Sequence, residues 1–329
     1  MQKSTYDTKA LIEGSLTTAI TVVMMLINVY VPVFSIFANF ILPIPITLLY
    51  IKQNYKVTLI SVIASGILMS IFYNPIFALS LIILTGLTGM TLGYCIKNKM
   101  KFSTTMVFLS IAMAVGIIFY FTVYIMFISK GGIYGFVNKI VEDFKQSMDL
   151  SKNMYEKAGV SSNQLSSMES MLKIFTPEYI MKLIPAVIII MSFTLSYLNY
   201  IITRSILKKL KYQMNESKPL GQWYMNTRVG TLVGLILVIG ILFNRRNMAA
   251  GQYLVASSKI ILELIFFIDG IALLTYYLLK KFKISKKIIA VIIILTALSS
   301  LSLFYVLAGF IDMIFDFRKL DPYRKSGKK

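Results

Sequence analysis

The sequence contains no histidine and a single cysteine, Cys95. Histidine is the commonest metal ligand and general base in proteins, so its absence argues against a catalytic zinc site and a Ser-His-Asp triad. One cysteine excludes an internal disulfide framework. The chain also lacks the phosphate-binding pattern G-x-x-x-x-G-K-[ST], so an ATP-driven step would need a separate polypeptide. We therefore expect no metal, no cofactor and no enzymatic activity.

Acidic residues are scarce, with 14 Asp and Glu against 34 Lys and Arg, which gives a formal net charge of +20. Such an excess is one signal of nucleic-acid binding. Here, however, the basic residues lie in short segments between apolar runs, a pattern typical of membrane proteins whose positive loops face the cytoplasm. We therefore expect the lipid bilayer, and no nucleic acid, as the partner.

Apolar residues make up 57% of the chain, and the mean hydropathy is +0.74. A helix crosses the bilayer core with about 20 predominantly apolar residues, and such runs recur along the sequence. The predicted spans cover residues 10–30, 33–51, 57–73, 76–96, 104–128, 183–202, 229–243, 254–279 and 288–315. The predicted fold class is an all-α polytopic integral membrane protein of the cell membrane, with about eight or nine apolar segments.

Basic connections alternate with uncharged junctions along the first half of the chain, which places the N-terminus in the cytoplasm. Nine full crossings would leave the basic C-terminal tail outside, so we predict a cytoplasmic C-terminus and expect one late segment, 229–243 or 288–315, not to cross simply. The predicted organisation is a six-span core over 1–203 with an extracellular amphipathic loop at 129–182, a basic cytoplasmic connection at 204–228, C-terminal membrane helices at 229–317 and a polybasic tail at 318–329.

Two of these connections have patterns of their own. In the extracellular loop, apolar residues from Ile133 to Met148 recur at three- and four-residue spacing, which predicts an amphipathic helix on the outer leaflet or capping the bundle. The basic connection at 204–228 is suited to contact an ATPase partner or anionic lipid headgroups.

Two prolines, Pro43 and Pro45, lie inside the second predicted span. Each removes a backbone donor, and the carbonyls they free at membrane depth must be satisfied by other protein groups or by a water-lined cavity. A broken span of this kind points to a binding site in transporters, while a simple packing kink is the alternative.

Polar and aromatic residues gather at the ends of the first five spans that the predicted topology places outside. This set is a candidate ligand pocket for a neutral, partly apolar molecule. Interface belts of tyrosine and asparagine at helix ends are the alternative interpretation. The candidate residues, together with the two prolines, are Asn28, Tyr30, Asn39, Tyr73, Asn74, Tyr120 and Tyr124.

Small residues and acids mark other positions in the spans. Gly86, Gly89 and Gly93 in the fourth span, and Ala10 and Gly14 in the first, have spacings that allow close helix packing. An aspartate in the middle of a span is costly, so Asp269 must be paired, neutral or facing water, in a structural or a coupling role. Near the end of the last span, Asp312 and Asp316 are positioned to meet Arg318 or Lys319.

Short motifs give the chain a family resemblance. They are the ALIEG sequence at 10–14, the LPIPI sequence at 42–46, the glycine-rich fourth span, Asp312 and the FDFRK sequence at 315–319. With these motifs, nearly the whole chain resembles the YybS-like family of bacterial membrane proteins.

The first six spans are also similar to the S components of energy-coupling-factor transporters. That resemblance implies an S-component-like six-helix core with ligand capture near the outer surface. It also implies separate ATPase and coupling subunits, the latter contacting small residues on the first helix where Ala10 and Gly14 lie. Beyond Arg204 the chain departs from this pattern by adding apolar segments. The predicted function is small-molecule binding or transport in the manner of an S component; the alternative is a membrane scaffold or assembly factor of the cell envelope without a transported ligand.

Overall fold

A computed structural model describes residues 8–157, 172, 174–212, 214–216, 219–299 and 301–321, and these residues are mainly α-helical. The first eight helices are α1 Thr8–Tyr30, α2 Pro32–Ile41, α3 Pro43–Lys52, α4 Tyr55–Phe72, α5 Pro75–Lys97, α6 Phe102–Ile128, α7 Gly132–Lys157 and α8 Pro177–Lys209. A short 3-10 helix, Leu220–Gln222, precedes α9 Thr227–Arg245, α10 Ala249–Lys280, α11 Lys286–Ala297 and α12 Ser302–Phe315.

Seven helices in the described part of the chain are long and apolar enough to cross a membrane, and the bent pair α11 and α12 raises this to eight if it counts as one span. The all-helical, multi-pass class predicted from the sequence is therefore confirmed. The number of spans formed by one continuous helix is smaller than the nine predicted, because two predicted spans are each divided into two helices.

The first division falls in the second predicted span, where α2 ends at Ile41 and α3 begins at Pro43. Proline has no amide hydrogen and is tolerated at the first position of a helix, which is where Pro43 lies. The buried amide of Asn199 on α8 points at the Phe40 carbonyl oxygen, at 3.5 Å. A polar side chain from another helix thus reaches a carbonyl at the break, as membrane depth requires.

The second division falls in the last predicted span, where α11 and α12 differ in direction by 110°. Serines 299 and 302 flank the bend, and the Ser299 hydroxyl accepts from the Leu301 amide at 3.2 Å while donating to the Thr296 carbonyl at 2.8 Å. Local hydrogen bonds of this kind compete with the helical ladder. The last predicted span therefore forms two helices, and it is the late segment that is not a simple span.

The chain divides into two compact units. Unit 1 comprises residues 1–177 and 188–216, and unit 2 comprises residues 178–187 and 217–329. Helix α8 contributes its first turns to unit 2 and the remainder to unit 1.

Close helix packing in unit 1 centres on the glycines of α5. A Cβ atom on Gly89 would lie 2.8 Å from the Pro43 carbonyl oxygen, and one on Gly86 would lie 2.7 Å from the Val62 side chain. Gly93 faces Tyr50 and Thr47 in the same way. The Thr47 hydroxyl lies 2.9 Å from the Pro43 carbonyl and 3.0 Å from the Gly89 carbonyl. These small residues bring α5 against α3 and α4.

Ala10 and Gly14 on α1 are both buried. A Cβ atom on Gly14 would lie 3.1 Å from the Ser61 hydroxyl of α4, and that hydroxyl donates to the Gly14 carbonyl at 3.0 Å. Ala10 packs in a cluster with Leu49 and Val57. The small-residue face of α1 is therefore covered by α3 and α4 of the same chain.

Helix α7 covers the segment for which an amphipathic helix is expected, and it extends nine residues beyond the predicted 148 to Lys157. Val137 and Val141 are buried, whereas Ile133, Ile140 and Phe144 on the same side remain exposed. The sixth predicted span, residues 183–202, lies within α8, which begins at Pro177 and has Glu178 in its first turn, where proline and an acid are both favourable.

Candidate functional site

A cavity of about 450 Å³ lies in unit 1 among α1, the break between α2 and α3, α5, α6 and the unit 1 part of α8. We call it the unit 1 cavity. Four of the candidate pocket residues line it: Asn28, Pro43, Tyr73 and Tyr120. The break in the second predicted span therefore faces a cavity, because Pro43 and Phe40 on its two sides both belong to the wall.

The wall of the unit 1 cavity is mainly apolar, and none of the described residues that line it is Asp, Glu, Lys or Arg. Thr85 and Thr88 contribute hydroxyls, but these donate to the Leu81 and Leu84 carbonyls of their own helix at 2.7 Å each. In contrast, the side-chain polar groups of Asn28, Tyr73 and Tyr120 form no hydrogen bond with any residue that the structure describes. Three unused hydrogen-bonding groups thus face one apolar space.

Aromatic rings continue from this wall toward α7. Phe77 lines the cavity, and its ring centroid lies 6.4 Å from that of Tyr73 and 6.5 Å from that of Tyr124. Tyr124 in turn packs edge-on against Phe136 of α7, with the centroids 5.7 Å apart. Tyr124 therefore supports a lining residue without belonging to the wall itself.

The other candidate pocket residues have different positions. The Asn74 side chain accepts from the Ile76 amide at 3.0 Å and caps α5, and Tyr30 is exposed and donates to the Phe72 carbonyl at 2.9 Å. Pro45 lies within α3 and does not line the cavity. The side chain of Asn39 lies outside the described part of the chain.

Sequence reasoning missed several wall residues, among them Phe77, Thr85, Thr88 and Met113. Phe77 and Thr85 are eight residues apart and Thr88 is a further three, which is the helical spacing of one face. That periodicity was present in the sequence, but α5 is apolar on all sides, so the pattern did not distinguish the cavity face from the lipid face.

Unit 2 contains a buried charge cluster formed by Asp269 of α10, Asp312 of α12 and Arg318, which follows α12. All three side chains are at most 1% exposed. The Arg318 Nη2 atom lies 2.6 Å from Asp269 Oδ1 and 2.8 Å from Asp312 Oδ2, and Nε donates to Asp312 Oδ2 at 2.8 Å. The intramembrane Asp269 is thus paired, which is one of the states the sequence required of it.

The remaining nitrogen of Arg318, Nη1, donates to two backbone carbonyls of the segment before α9. It lies 2.6 Å from the Trp223 oxygen and 3.4 Å from the Gly221 oxygen. A guanidinium has five N–H donors on three nitrogens, and hydrogen bonds engage all three nitrogens of Arg318. Because its partners come from α10, α12 and residues 221–223, Arg318 joins three separate segments of unit 2.

The cluster has one positive group against two carboxylates, and one oxygen of each carboxylate is less well satisfied. Asp269 Oδ2 and Asp312 Oδ1 form no clear hydrogen bond among the described residues, although the Met225 backbone amide faces the Asp269 carboxylate. A cationic partner is therefore essential, since two unpaired buried carboxylates would be strongly unfavourable.

The conformation of the segment that follows α12 places Arg318 in the charge cluster. Asp316 adopts a left-handed backbone conformation at φ 49°, and its carboxylate accepts from the Leu320 and Asp321 amides at 2.8 and 3.1 Å. Asp321 accepts from the Tyr224 hydroxyl at 3.0 Å. Burial, together with the neighbouring Asp321, raises the pKa of Tyr224, so the phenol stays protonated and available as the donor.

Part of the basic connection at 204–228 forms hydrogen bonds and an ion pair with residues of the same chain. The Asn215 amide donates to the Met100 carbonyl at 2.6 Å, and Arg204 forms an ion pair with Glu216. Trp223 supplies a carbonyl to Arg318. Several residues of this segment therefore have partners within their own chain, in addition to any lipid contact that the sequence suggested. No group of three or more His, Cys, Asp or Glu suited to a metal ion occurs among the described residues.

The helical architecture and the several helices that are long and apolar enough to cross a membrane define the chain as a multi-pass α-helical membrane protein. It matches the family described as "Predicted membrane protein (DUF2232)" over residues 19–313, and it belongs to that family. It is also 25% identical over 288 residues to "Uncharacterized protein YybS" of Bacillus subtilis (strain 168), an alignment that covers 84% of this chain and 86% of the relative. The resemblance to the YybS-like family is thus confirmed. No solved structure matches the chain significantly.

Proposed function

We propose that the protein is a non-enzymatic membrane protein that captures a small, neutral and largely apolar solute in the unit 1 cavity. The observation that carries the proposal is the convergence of Asn28, Tyr73 and Tyr120, with unused hydrogen-bonding groups, on an otherwise apolar wall. Small-molecule sites typically combine an apolar lining with a few polar groups that orient the ligand, in a volume of about 300–1,000 Å³. The absence of charged wall residues favours a neutral solute over a phosphate or carboxylate.

Solute binding in the unit 1 cavity should be detected as ligand-induced thermal stabilisation of the purified full-length chain in detergent. Across a panel of neutral vitamins and metabolites, we expect at least one compound to raise the unfolding temperature. Removing one hydroxyl, by Tyr73→Phe or Tyr120→Phe, should weaken its affinity about fivefold, since one hydrogen bond contributes about 1 kcal/mol.

Tyr30→Phe is the matched control for this experiment. Tyr30 also lies at the end of a helix, but its hydroxyl donates to the Phe72 carbonyl and its side chain does not line the cavity. Its variant should bind with wild-type affinity. A folded wild-type chain that responds to no compound in the panel would lead us to abandon the proposal.

The S-component resemblance supports ligand capture more strongly than it supports coupling through α1. In that resemblance a coupling subunit contacts small residues on the first helix. Here Ala10 is 5% exposed and Gly14 is buried against α4. A coupling subunit and its ATPase, if the solute is transported, would therefore have to bind another surface.

A scaffold or assembly factor of the cell envelope is the second candidate function. It is favoured by α7, whose residues Ile133, Ile140 and Phe144 leave an exposed apolar face suited to a membrane surface or a partner helix. Crosslinking in cells separates the two functions. Recovery of ATPase and coupling subunits favours transport, and recovery of envelope or division proteins favours scaffolding.

A further inference from the structure

A second cavity, of about 380 Å³, lies in unit 2 between α10 and the bend that joins α11 to α12. We call it the α10–α12 groove. One wall is a single face of α10, and the other is formed by α12, the residue before it and Thr296 of α11. The wall residues used in the argument are Gly270, Leu273, Leu274, Tyr277, Leu301 and Phe304.

The α10–α12 groove offers almost nothing to a polar ligand. The hydroxyls of Thr296 and Tyr305, which also line it, lie 2.5 Å apart and hydrogen-bond to each other. Its rim is apolar and accessible, since Leu301 is 47% exposed and Phe304 is 66% exposed. In a helix of a membrane protein such a rim faces hydrocarbon, so an acyl chain is the ligand whose chemistry matches the groove.

The face of α10 that lines the groove continues directly into a basic segment. Residues 270, 273, 274 and 277 follow the three- and four-residue spacing of one helical face, and the next position on that face is Lys281. Tyr277, one turn earlier, is a residue type enriched at the boundary between hydrocarbon and headgroups. A chain lying in the groove would therefore have its polar end near Lys281.

Other lysines lie beside Lys281 in the sequence. Residues 280–287, which we call the lysine turn, contain five lysines, and no acidic residue occurs between Asp269 and Asp312. Lys280 donates to the Tyr276 hydroxyl at 2.8 Å, whereas Lys281, Lys283, Lys286 and Lys287 are exposed. Uncompensated lysines at the polar end of an apolar groove complement an anionic headgroup.

We propose that the α10–α12 groove and the lysine turn form a binding site for an anionic phospholipid, with one acyl chain in the groove and the phosphate at Lys281 and its neighbours. This site is independent of the solute proposed for the unit 1 cavity.

The test compares lipids on the delipidated full-length chain in detergent. Dioleoyl phosphatidylglycerol should bind in a native mass spectrometry titration and raise the unfolding temperature, and dioleoyl phosphatidylcholine should do so much less. Glycerol 3-phosphate, which carries the phosphate without a chain, should have no effect. Lys281→Gln combined with Lys283→Gln should weaken phosphatidylglycerol binding about fivefold for each lysine removed.

Lys99→Gln combined with Lys101→Gln is the matched control, because these exposed lysines also lie in a short basic connection between two helices but belong to unit 1. It should bind phosphatidylglycerol like the wild type. Ala308→Phe, which fills the groove wall, should prevent binding while the lysines remain; if that variant does not fold, phosphatidylglycerol with eight-carbon chains replaces it and should bind more weakly. Equal binding of the two dioleoyl lipids, an unchanged lysine variant, or binding that is insensitive to groove filling and chain length would overturn the proposal.

Discussion

Replacing Arg318 with glutamine is expected to destabilise unit 2 by about 3–5 kcal/mol, the range found when one partner of a buried ion pair is removed. The guanidinium neutralises Asp269 and Asp312 and also satisfies the Gly221 and Trp223 carbonyls. Glutamine has no charge and fewer donors, so two buried carboxylates would be left to repel each other. Thermal unfolding of the purified chain in detergent would measure the loss.

The Arg318→Lys variant should recover only part of this stability. Lysine restores the charge, but it has three donors on a single atom and does not reproduce the planar fork that reaches α10, α12 and residues 221–223 together. Combining Arg318→Gln with Asp269→Asn and Asp312→Asn removes all three charges. Because the main cost is the uncompensated charge, this triple variant should be more stable than Arg318→Gln alone.

Arg204→Gln provides the control for a generic loss of an arginine. Arg204 pairs with Glu216, whose side chain is 78% exposed, and ion pairs of that kind contribute about 0–1 kcal/mol. Its variant should unfold close to the wild-type temperature. If Arg318→Gln were as mild as Arg204→Gln, the charge cluster would not be holding unit 2 together.

The charge cluster shows how far sequence reasoning reaches in this chain. The cost of a charge within a span required Asp269 to be compensated, and the short spacing pointed Asp312 toward Arg318. The joint contact was not predictable, because 49 residues separate Asp269 from Arg318. It depends on the bend between α11 and α12, which the sequence indicated only as a late segment that does not cross simply.

The residues of the unit 1 cavity could likewise be predicted only in part. The predicted topology grouped Asn28, Tyr73 and Tyr120 at one end of the bundle, and these three do line one cavity. Asn74 was assigned to the same group, although asparagine directly before Pro75 is a typical cap and first-turn pair. The sequence contained that signal, and the structure shows Asn74 as the cap of α5. Local capping chemistry was therefore a better guide at this position than proximity to the pocket.

Gly309→Ala is the second change expected to have a large effect, with a loss of about 3 kcal/mol, toward the upper end of the range for overpacking. Gly309 of α12 crosses Gly270 of α10 with the two backbones in contact. A Cβ atom on Gly309 would overlap with the Phe266 carbonyl oxygen and lie 2.7 Å from the Gly270 amide nitrogen. Because these are backbone atoms, no side-chain rotation can relieve the overlap, and the helices must separate.

Gly234→Ala in α9 is the matched control for the Gly309 substitution. It is the same chemical change in another apolar helix, but a Cβ atom there would meet nothing within 4 Å. Only helix propensity should change, by up to about 1 kcal/mol in favour of alanine. The unfolding temperature should therefore shift in opposite directions for the two variants.

Separation of α10 from α12 would also move Asp312 away from Asp269, so Gly309→Ala combined with Arg318→Gln should cost less stability than the sum of the two single changes. Strict additivity would mean that the glycine crossing and the charge cluster stabilise unit 2 independently.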